Sequence, residues 1–307
     1  MTEQPAAPSD PSAPRMVAVA DGVHAYIQPD GGWYLNNAVL IDGPDAAISI
    51  DSAATEARTA AYQDEIARVT DRPVRTVVAT HHHGDHTHGN HLFTGATIVS
   101  HPYCRDRVLR EDYHAVLPMF AGPEWGDIRA AGPAVTFAER LELWSGERRV
   151  ELRHPGRAAH THGDVYAWLP DDRLLISGDL IFNGGTPMLA EGSPTGLLRT
   201  LEEIGELAPR LIVPGHGEPC GLEAVEATAD YLRWILGVAR DAHAEGLSPL
   251  DAARSIDAGR FSGLREPERL VMNLHSCYAE FEGTAVDMGQ LAADTFAIVG
   301  GPIPSCA

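Results

Sequence analysis

Apolar and polar residues alternate over residues 17–27, as on a half-buried β-strand, and Asp30-Gly31-Gly32 then marks a turn. Residues 33–41 read as a second strand. Residues 46–50 read as a third, continuously apolar one that ends at Asp51-Ser52. Residues 53–69 have helical periodicity and good helix formers, Pro73 breaks the pattern, and 74–80 is a β-branched run of the kind that buried strands use. Another strand is expected at 96–100, followed by a helical stretch at 103–113. Residues 114–134 are irregular and rich in glycine, proline and aromatic residues, and read as a loop or lid. Strand patterns resume at 148–154, 165–169, 174–177 and 211–214. Helical patterns cover 196–206 and 222–245, and most of the chain from there to about residue 291, with 270–281 its most apolar part.

Strands and helices thus alternate in both halves. Each half reads as a sheet with helices on its outer side, and two such halves would bury one sheet against the other. No internal repeat and no linker divides the chain. The expected organisation is one domain over residues 16–307, with a helical extension from about residue 222. A loose proline-, alanine- and serine-rich tail is expected over residues 1–15.

Composition narrows the partners. The formal net charge is -20, from 43 acidic and 23 basic residues, and every basic one is arginine. Such a balance argues against nucleic acid, anionic membrane and polyanionic substrates. Cys104, Cys220, Cys277 and Cys306 are scattered and read as free thiols of a reducing compartment. The start shows no basic region followed by an apolar core, and no apolar run is long enough to span a bilayer. The expectation is a cytoplasmic protein acting on a small molecule, with homo-oligomerisation left open.

The candidate chemistry sits at strand ends. Thr80-His81-His82-His83-Gly84-Asp85-His86 directly follows the β-branched run and contains a glycine, so it can turn sharply there. Imidazole and carboxylate are donors that zinc, iron and manganese accept. His81 and His83 could converge on one ion while Asp85 and His86 point to a second. His160-Thr161-His162-Gly163-Asp164, Ser177-Gly178-Asp179 and Pro214-Gly215-His216-Gly217 repeat the arrangement, each placing a histidine or aspartate beside glycine at a strand terminus. Asp51 either supports the metal-holding loop or caps the helix after it. Asp164 either orients a ligand histidine or caps its own turn.

This pattern, HxHxDH followed by a distant His, Asp and His, resembles the metallo-beta-lactamase superfamily, and a hydrolase-like branch of it in particular. The resemblance covers residues from about Val17 to Gly217. It implies an αββα sandwich with the site at one edge of the two sheets. By likeness, His81, His83 and His160 would hold one ion, Asp85, His86 and His216 a second, and Asp179 would bridge both. His82, His88, His91 and His162 would be neighbours rather than ligands. The resemblance further implies two zinc ions, with iron or manganese as alternatives, and a metal-bridging hydroxide that cleaves an ester, lactone, thioester or amide. Asp85 would orient that nucleophile and help to move its proton.

Some relatives fit less well. Asp179 stands where typical class B beta-lactamases carry cysteine, and His83 stands where flavodiiron proteins carry glutamate. Glyoxalase II relatives share the seven ligand types but typically hold glutathione with a basic C-terminal cluster. Here that region has dispersed arginines, such as Arg233, Arg240 and Arg254. A mononuclear iron persulfide dioxygenase and a non-catalytic metal-binding interaction protein are the alternatives. The pocket is expected to be partly apolar. Its walls would come from Trp33-Tyr34, from 113–125 with Leu117, Met119, Phe120 and Trp125, and from 182–194 with Phe182, Met188 and Leu189. Tyr278 and Phe281 would reach it from the C-terminal helices.

Overall fold

The computed structural model describes residues 13–307. Residues 1–12 of the expected tail lie outside the described residues, and Arg15 already opens the first strand. The strands are β1 (Arg15–Ala20), β2 (Val23–Ile27), β3 (Ala38–Ile41), β4 (Ala47–Ile50), β5 (Val74–Val78), β6 (Thr97–Ser100), β7 (Phe120–Ala121), β8 (Val135–Thr136), β9 (Arg140–Ser145), β10 (Arg148–Arg153), β11 (Tyr166–Leu169), β12 (Leu174–Phe182), β13 (Leu211–His216) and β14 (Ile303–Pro304). The helices are α1 (Glu56–Val69), α2 (Gly84–Thr87), α3 (Pro102–Arg110), α4 (Tyr113–Val116), α5 (Pro194–Leu207), α6 (Leu222–Ala244), α7 (Pro249–Ser255), α8 (Arg269–Glu282) and α9 (Met288–Val299). One mixed sheet runs β1-β2-β3-β4-β5-β6-β8, a second runs β13-β12-β11-β10-β9, and β14 pairs with β7 alone.

The two-residue period of a strand explains the layering. Val39 and Ile41 of β3 point into the core between the sheets, where they join Leu152, Leu174 and Val213. Leu40, between them, points the other way and packs with Tyr62 and Ile66 of α1. On β12, Leu174 and Ile176 enter the inter-sheet core, while Leu175 meets Leu197, Leu201 and Leu232 of α5 and α6. Both faces of these strands are buried, so their sequences look apolar throughout. The result is the expected αββα sandwich.

Several boundaries move. The expected strand over 17–27 is a hairpin, because Asp21-Gly22 turns the chain with Gly22 at φ 62°. Only Ala38–Ile41 of the expected 33–41 strand is regular. The side chains of Asn36 and Asn37 hydrogen-bond to the carbonyls of Ser52 and Pro214, which holds Trp33–Asn37 as an irregular segment. α1 begins at Glu56 instead of residue 53, because Thr55 accepts the Arg58 N–H and caps it, a contribution of about 1 kcal/mol. The alternating strand β9 escaped the sequence reading. α9 and β14 order the chain beyond residue 294. All four cysteines are free, and no helix among the described residues is long and apolar enough to cross a membrane.

Candidate metal centre

The site lies where β4, β5, β12 and β13 end and the 154–165 loop crosses over them. β5 delivers Thr80, whose N–H and Oγ1 donate to the Asp51 carboxylate at 2.7 and 2.8 Å. That clamp fixes the start of the histidine loop. The chain then closes the single turn of α2, in which a side chain at Gly84 would collide with the His88 ring. The loop bearing His160 is tied by Asp164, which accepts from Thr161 N–H and Thr161 Oγ1. Of the two roles left open for Asp164, the hydrogen bonds show the turn cap. On β12 the register shifts on either side of Gly178, which has φ 50° and leaves no room for a side chain against Thr80. This bulge turns Asp179 toward the histidines. Gly215 is needed beside it, since a Cβ there would collide with Asp179 Oδ1.

The side chains at the seven expected positions converge. Ligand atoms of His81, His83, His160 and Asp179 lie within 4.8 Å of one another, and so do those of Asp85, His86 and His216. In the first group, His83 Nδ1 is 2.9 Å from both His81 Nε2 and His160 Nε2, and those two are 3.2 Å apart. In the second, Asp85 Oδ2 is 3.1 Å from His216 Nε2 and 3.6 Å from His86 Nε2. Asp179 stands between the groups. Its Oδ2 is 3.5 Å from His160 and His216, and its Oδ1 is 3.1 Å from His86.

Each histidine has its second ring nitrogen engaged elsewhere. His86 Nδ1 meets Asp51 Oδ2 at 2.8 Å, His160 Nδ1 the Met188 carbonyl at 2.8 Å, and His216 Nδ1 the Gly31 carbonyl at 3.1 Å. His81 Nδ1 meets Thr80 Oγ1 at 3.1 Å, and His83 Nε2 meets Glu191 Oε2 at 3.1 Å. One nitrogen of every ring is thereby held by the protein and the other is aimed inward. The role of Asp51 follows: it supports the loop through Thr80 and His86, and the helix cap belongs to Thr55.

These residues fit metal ions. Three imidazole nitrogens in one triangle cannot all be satisfied by each other, because a neutral ring offers one N–H and one lone pair. Their spacing approaches the roughly 3.3 Å expected between nitrogens on a tetrahedral ion at about 2.0–2.1 Å. His86 Nε2 and Asp179 Oδ1 are buried 3.1 Å apart, and neither makes a hydrogen bond of good geometry, although buried polar atoms normally do. Charges are arranged to match. Burial opposes the charge on His216, but Asp179 and Asp85 outweigh it and raise its pKa to about 9. The same balance raises His86 well above the usual range. Burial alone dominates at His160, pushing it down to about 3. Asp85 is held well below the carboxylate range, because His86 and His216 overcome the cost of its burial.

The chain matches the family model of the metallo-beta-lactamase superfamily over residues 31–216, which takes in all seven positions. The chain belongs to the metallo-beta-lactamase superfamily. It is similar to a hydroxyacylglutathione hydrolase of Brucella anthropi, at 25% identity over 77% of this chain and 75% of the relative. It is also similar to a linear primary-alkylsulfatase of a Pseudomonas species, at 23% identity over 85% of this chain and 60% of the relative. Among solved structures, a metallo-beta-lactamase from Pontibacter korlensis superposes with a TM-score of 0.60 at 18% identity, over 72% of this chain and 99% of that one. This last likeness concerns the fold.

Around the superfamily motif, the structure adds a residue that the sequence reading missed. Glu191, on the glycine-flanked loop after β12, accepts from His82 Nε2 at 2.7 Å and His83 Nε2 at 3.1 Å, and also pairs with Arg107 of α3. Nothing local in Ala190-Glu191-Gly192 signals this, since the partners lie 108 and 109 positions away. Burial would raise the Glu191 pKa, but hydrogen bonds from both histidines overcome it and keep the carboxyl ionised. Glu191→Gln is expected to loosen His83 and to weaken metal affinity about 10- to 100-fold, as measured by competition with a chromophoric chelator. Unchanged affinity would show that Glu191 acts only on His82 and Arg107. Of the other histidines, His82 and His88 are buried and His162 is exposed beside Tyr103.

A cavity of about 310 Å³ opens onto Asp85, Asp179 and His216. Trp33, Tyr34, Met119, Phe120, Phe182 and Met188 line it as expected. Trp125 instead packs behind Tyr34, Leu189 is buried under α5 and α6, and Leu117 does not line it. Tyr278 and Phe281 are a correction. They face α6, because the buried stripe of α8 is split between two neighbours. The cavity side of that helix is given by Arg269 and Met272.

Proposed function

We propose that this chain is a binuclear metal-dependent hydrolase that cleaves an ester, lactone, thioester or amide bond of a small, partly apolar substrate. The observation that carries this reading is the pair of converging donor groups with the Asp179 carboxylate between them, at the floor of an open cavity. His81, His83 and His160 would hold one ion, Asp85, His86 and His216 the other, and Asp179 would serve both. The nitrogen and carboxylate donors suit zinc, with iron or manganese as alternatives. When bound, the two cations would make water acidic enough to supply a nucleophile near neutral pH and would stabilise developing negative charge. The similarity to a hydroxyacylglutathione hydrolase supports hydrolysis as the reaction type.

The protein's own groups have distinct tasks. Asp85 is ionised and borders the cavity, so its carboxylate can orient an attacking water and accept a proton from it. Asp51 and Glu191 keep His86 and His83 in fixed orientations, which avoids reorganisation during the reaction. The apolar wall excludes water from one side of the bond under attack.

Elemental analysis of protein purified without added metal tests the proposal. About two zinc ions per chain, with turnover of esters, lactones or thioesters, is the expected result. One iron per chain would overturn it in favour of oxygen-dependent chemistry. Chelation should abolish turnover, and zinc should restore it. His216, with its pKa raised to about 9, should carry a proton at pH 7 in the metal-free protein, and His86 is shifted in the same direction by Asp179, Asp85 and Asp51. Zinc uptake at pH 7 should therefore release protons, and affinity should weaken as the pH falls. Calorimetry in buffers of different ionisation enthalpy reads that release directly, and uptake without proton release would contradict the ligand set.

A further inference from the structure

We propose that the substrate inserts an uncharged alkyl or aryl group into the cavity beside the metal centre, and that a methionine surface lets groups of different length and shape bind there. This deepens the hydrolase reading and rests on it. Of the six methionines in the chain, Met119, Met188, Met272 and Met288 all line this one cavity. They come from four separate places: the segment before β7, the loop after β12, α8 and α9. Unbranched thioether side chains repack readily around different apolar shapes and attract aromatic rings. Leu291 of α9 and Ile303 of β14 complete the wall. Ile303 is held in register with Phe120 by the β14–β7 pairing. A buried His275–Asp294 contact at 2.9 Å ties α9 to α8.

The cations at the cavity are already engaged. Arg107 pairs with Glu191, Arg110 with Asp106 at 2.9 Å, and Arg269 with Glu266 at 2.7 Å. Arg269 also donates to the Thr186 carbonyl and lies 4.0 Å over the Trp33 ring. The cavity is moreover bordered by the carboxylates of Glu111 and Glu191, which lie outside the proposed ligand set. Away from the metal ions, an anionic group such as the glutathione moiety of a thioester would have to compete with Glu191 and Asp106 for Arg107 and Arg110 and would lie beside Glu111, which is costly in a partly dehydrated site. An uncharged apolar group meets no such cost and covers the methionines.

The test uses the metal-loaded full chain with [methyl-13C]methionine and 1-octanol as the probe. The signals of Met119, Met188, Met272 and Met288 should move, while that of Met16, on β1, stays in place. In parallel, kcat/KM for p-nitrophenyl esters should rise about three- to fourfold per added methylene until the cavity is filled. The variant Met288→Glu, at a position that is 47% exposed and so tolerant of change, should lower kcat/KM for the octanoyl ester by at least about tenfold. The loss should be smaller for the acetyl ester, whose acyl group is too short to cover the methionines. Unmoved methionine signals, equal rates for short and long esters, or preference for a glutathione thioester would each overturn the inference while leaving the hydrolase intact. Movement of the four signals with no ester, lactone, thioester or amide hydrolysed would uphold the cavity assignment and remove the hydrolase reading instead.

Discussion

Asp179→Asn is expected to reduce kcat/KM by about three orders of magnitude, in line with the several kcal/mol that bound cations contribute to charge stabilisation. It should also lower the metal content of the purified protein. The substitution keeps shape and volume but removes the one carboxylate placed between His81, His86, His160 and His216. No neighbouring acid can replace it. Asp85 is turned toward His216 and His86, and Asp51 is on the far side of the His86 ring. Elemental analysis and steady-state kinetics on the same preparation check the expectation, with circular dichroism to show that the sandwich is intact. Wild-type metal content together with wild-type turnover would remove Asp179 as the shared donor.

The second large effect is expected at Asp51, which never faces the substrate. Asp51→Ala removes the acceptor of the Thr80 N–H, the Thr80 hydroxyl and His86 Nδ1, all in a site where Asp51 is 2% exposed. Buried donors left without partners cost about 1–3 kcal/mol each before relaxation. The backbone adds to this, because Asp51 has φ 64° and alanine tolerates that region less well than aspartate. We expect a loss of about 3 kcal/mol in unfolding free energy and a 10- to 100-fold loss in metal affinity. Asp51→Asn should recover part of the stability, since its amide oxygen can keep the Thr80 N–H, but not the metal affinity, because its NH₂ group would place the His86 proton on the inward Nε2. Denaturant unfolding and metal competition measure the two losses separately. If metal affinity survives in Asp51→Ala while stability falls, Asp51 serves the Thr80 turn and not the His86 ring.

Much of the fold was legible because burial imposes simple periods. Residues 174–177 read as a strand, since strands buried on both faces need apolar side chains at nearly every position, and 74–80 through its β-branched residues, although Arg75 is exposed. The errors occurred where polar side chains, rather than periodicity, decide the backbone. Asn36 and Asn37 satisfy carbonyls of other segments and so release residues 33–37 from the sheet. Thr55, not Asp51, wins the helix start because its side chain is three positions from the N–H it accepts.

The sequence by itself determined the donor types, their places beside glycine at strand ends, and the αββα layering. These depend on short spacings and on the two-residue and 3.6-residue periods, which any single segment displays. Only the tertiary structure decided that Asp51 supports His86, that Glu191 reaches His83, and that α8, α9 and β14 wall the cavity with methionines. It also decided that Arg107 pairs with Glu191, 84 positions away. Most of these contacts join residues far apart in the chain. Their existence depends on how layers pack and which charges are buried together, and a local pattern carries no record of either.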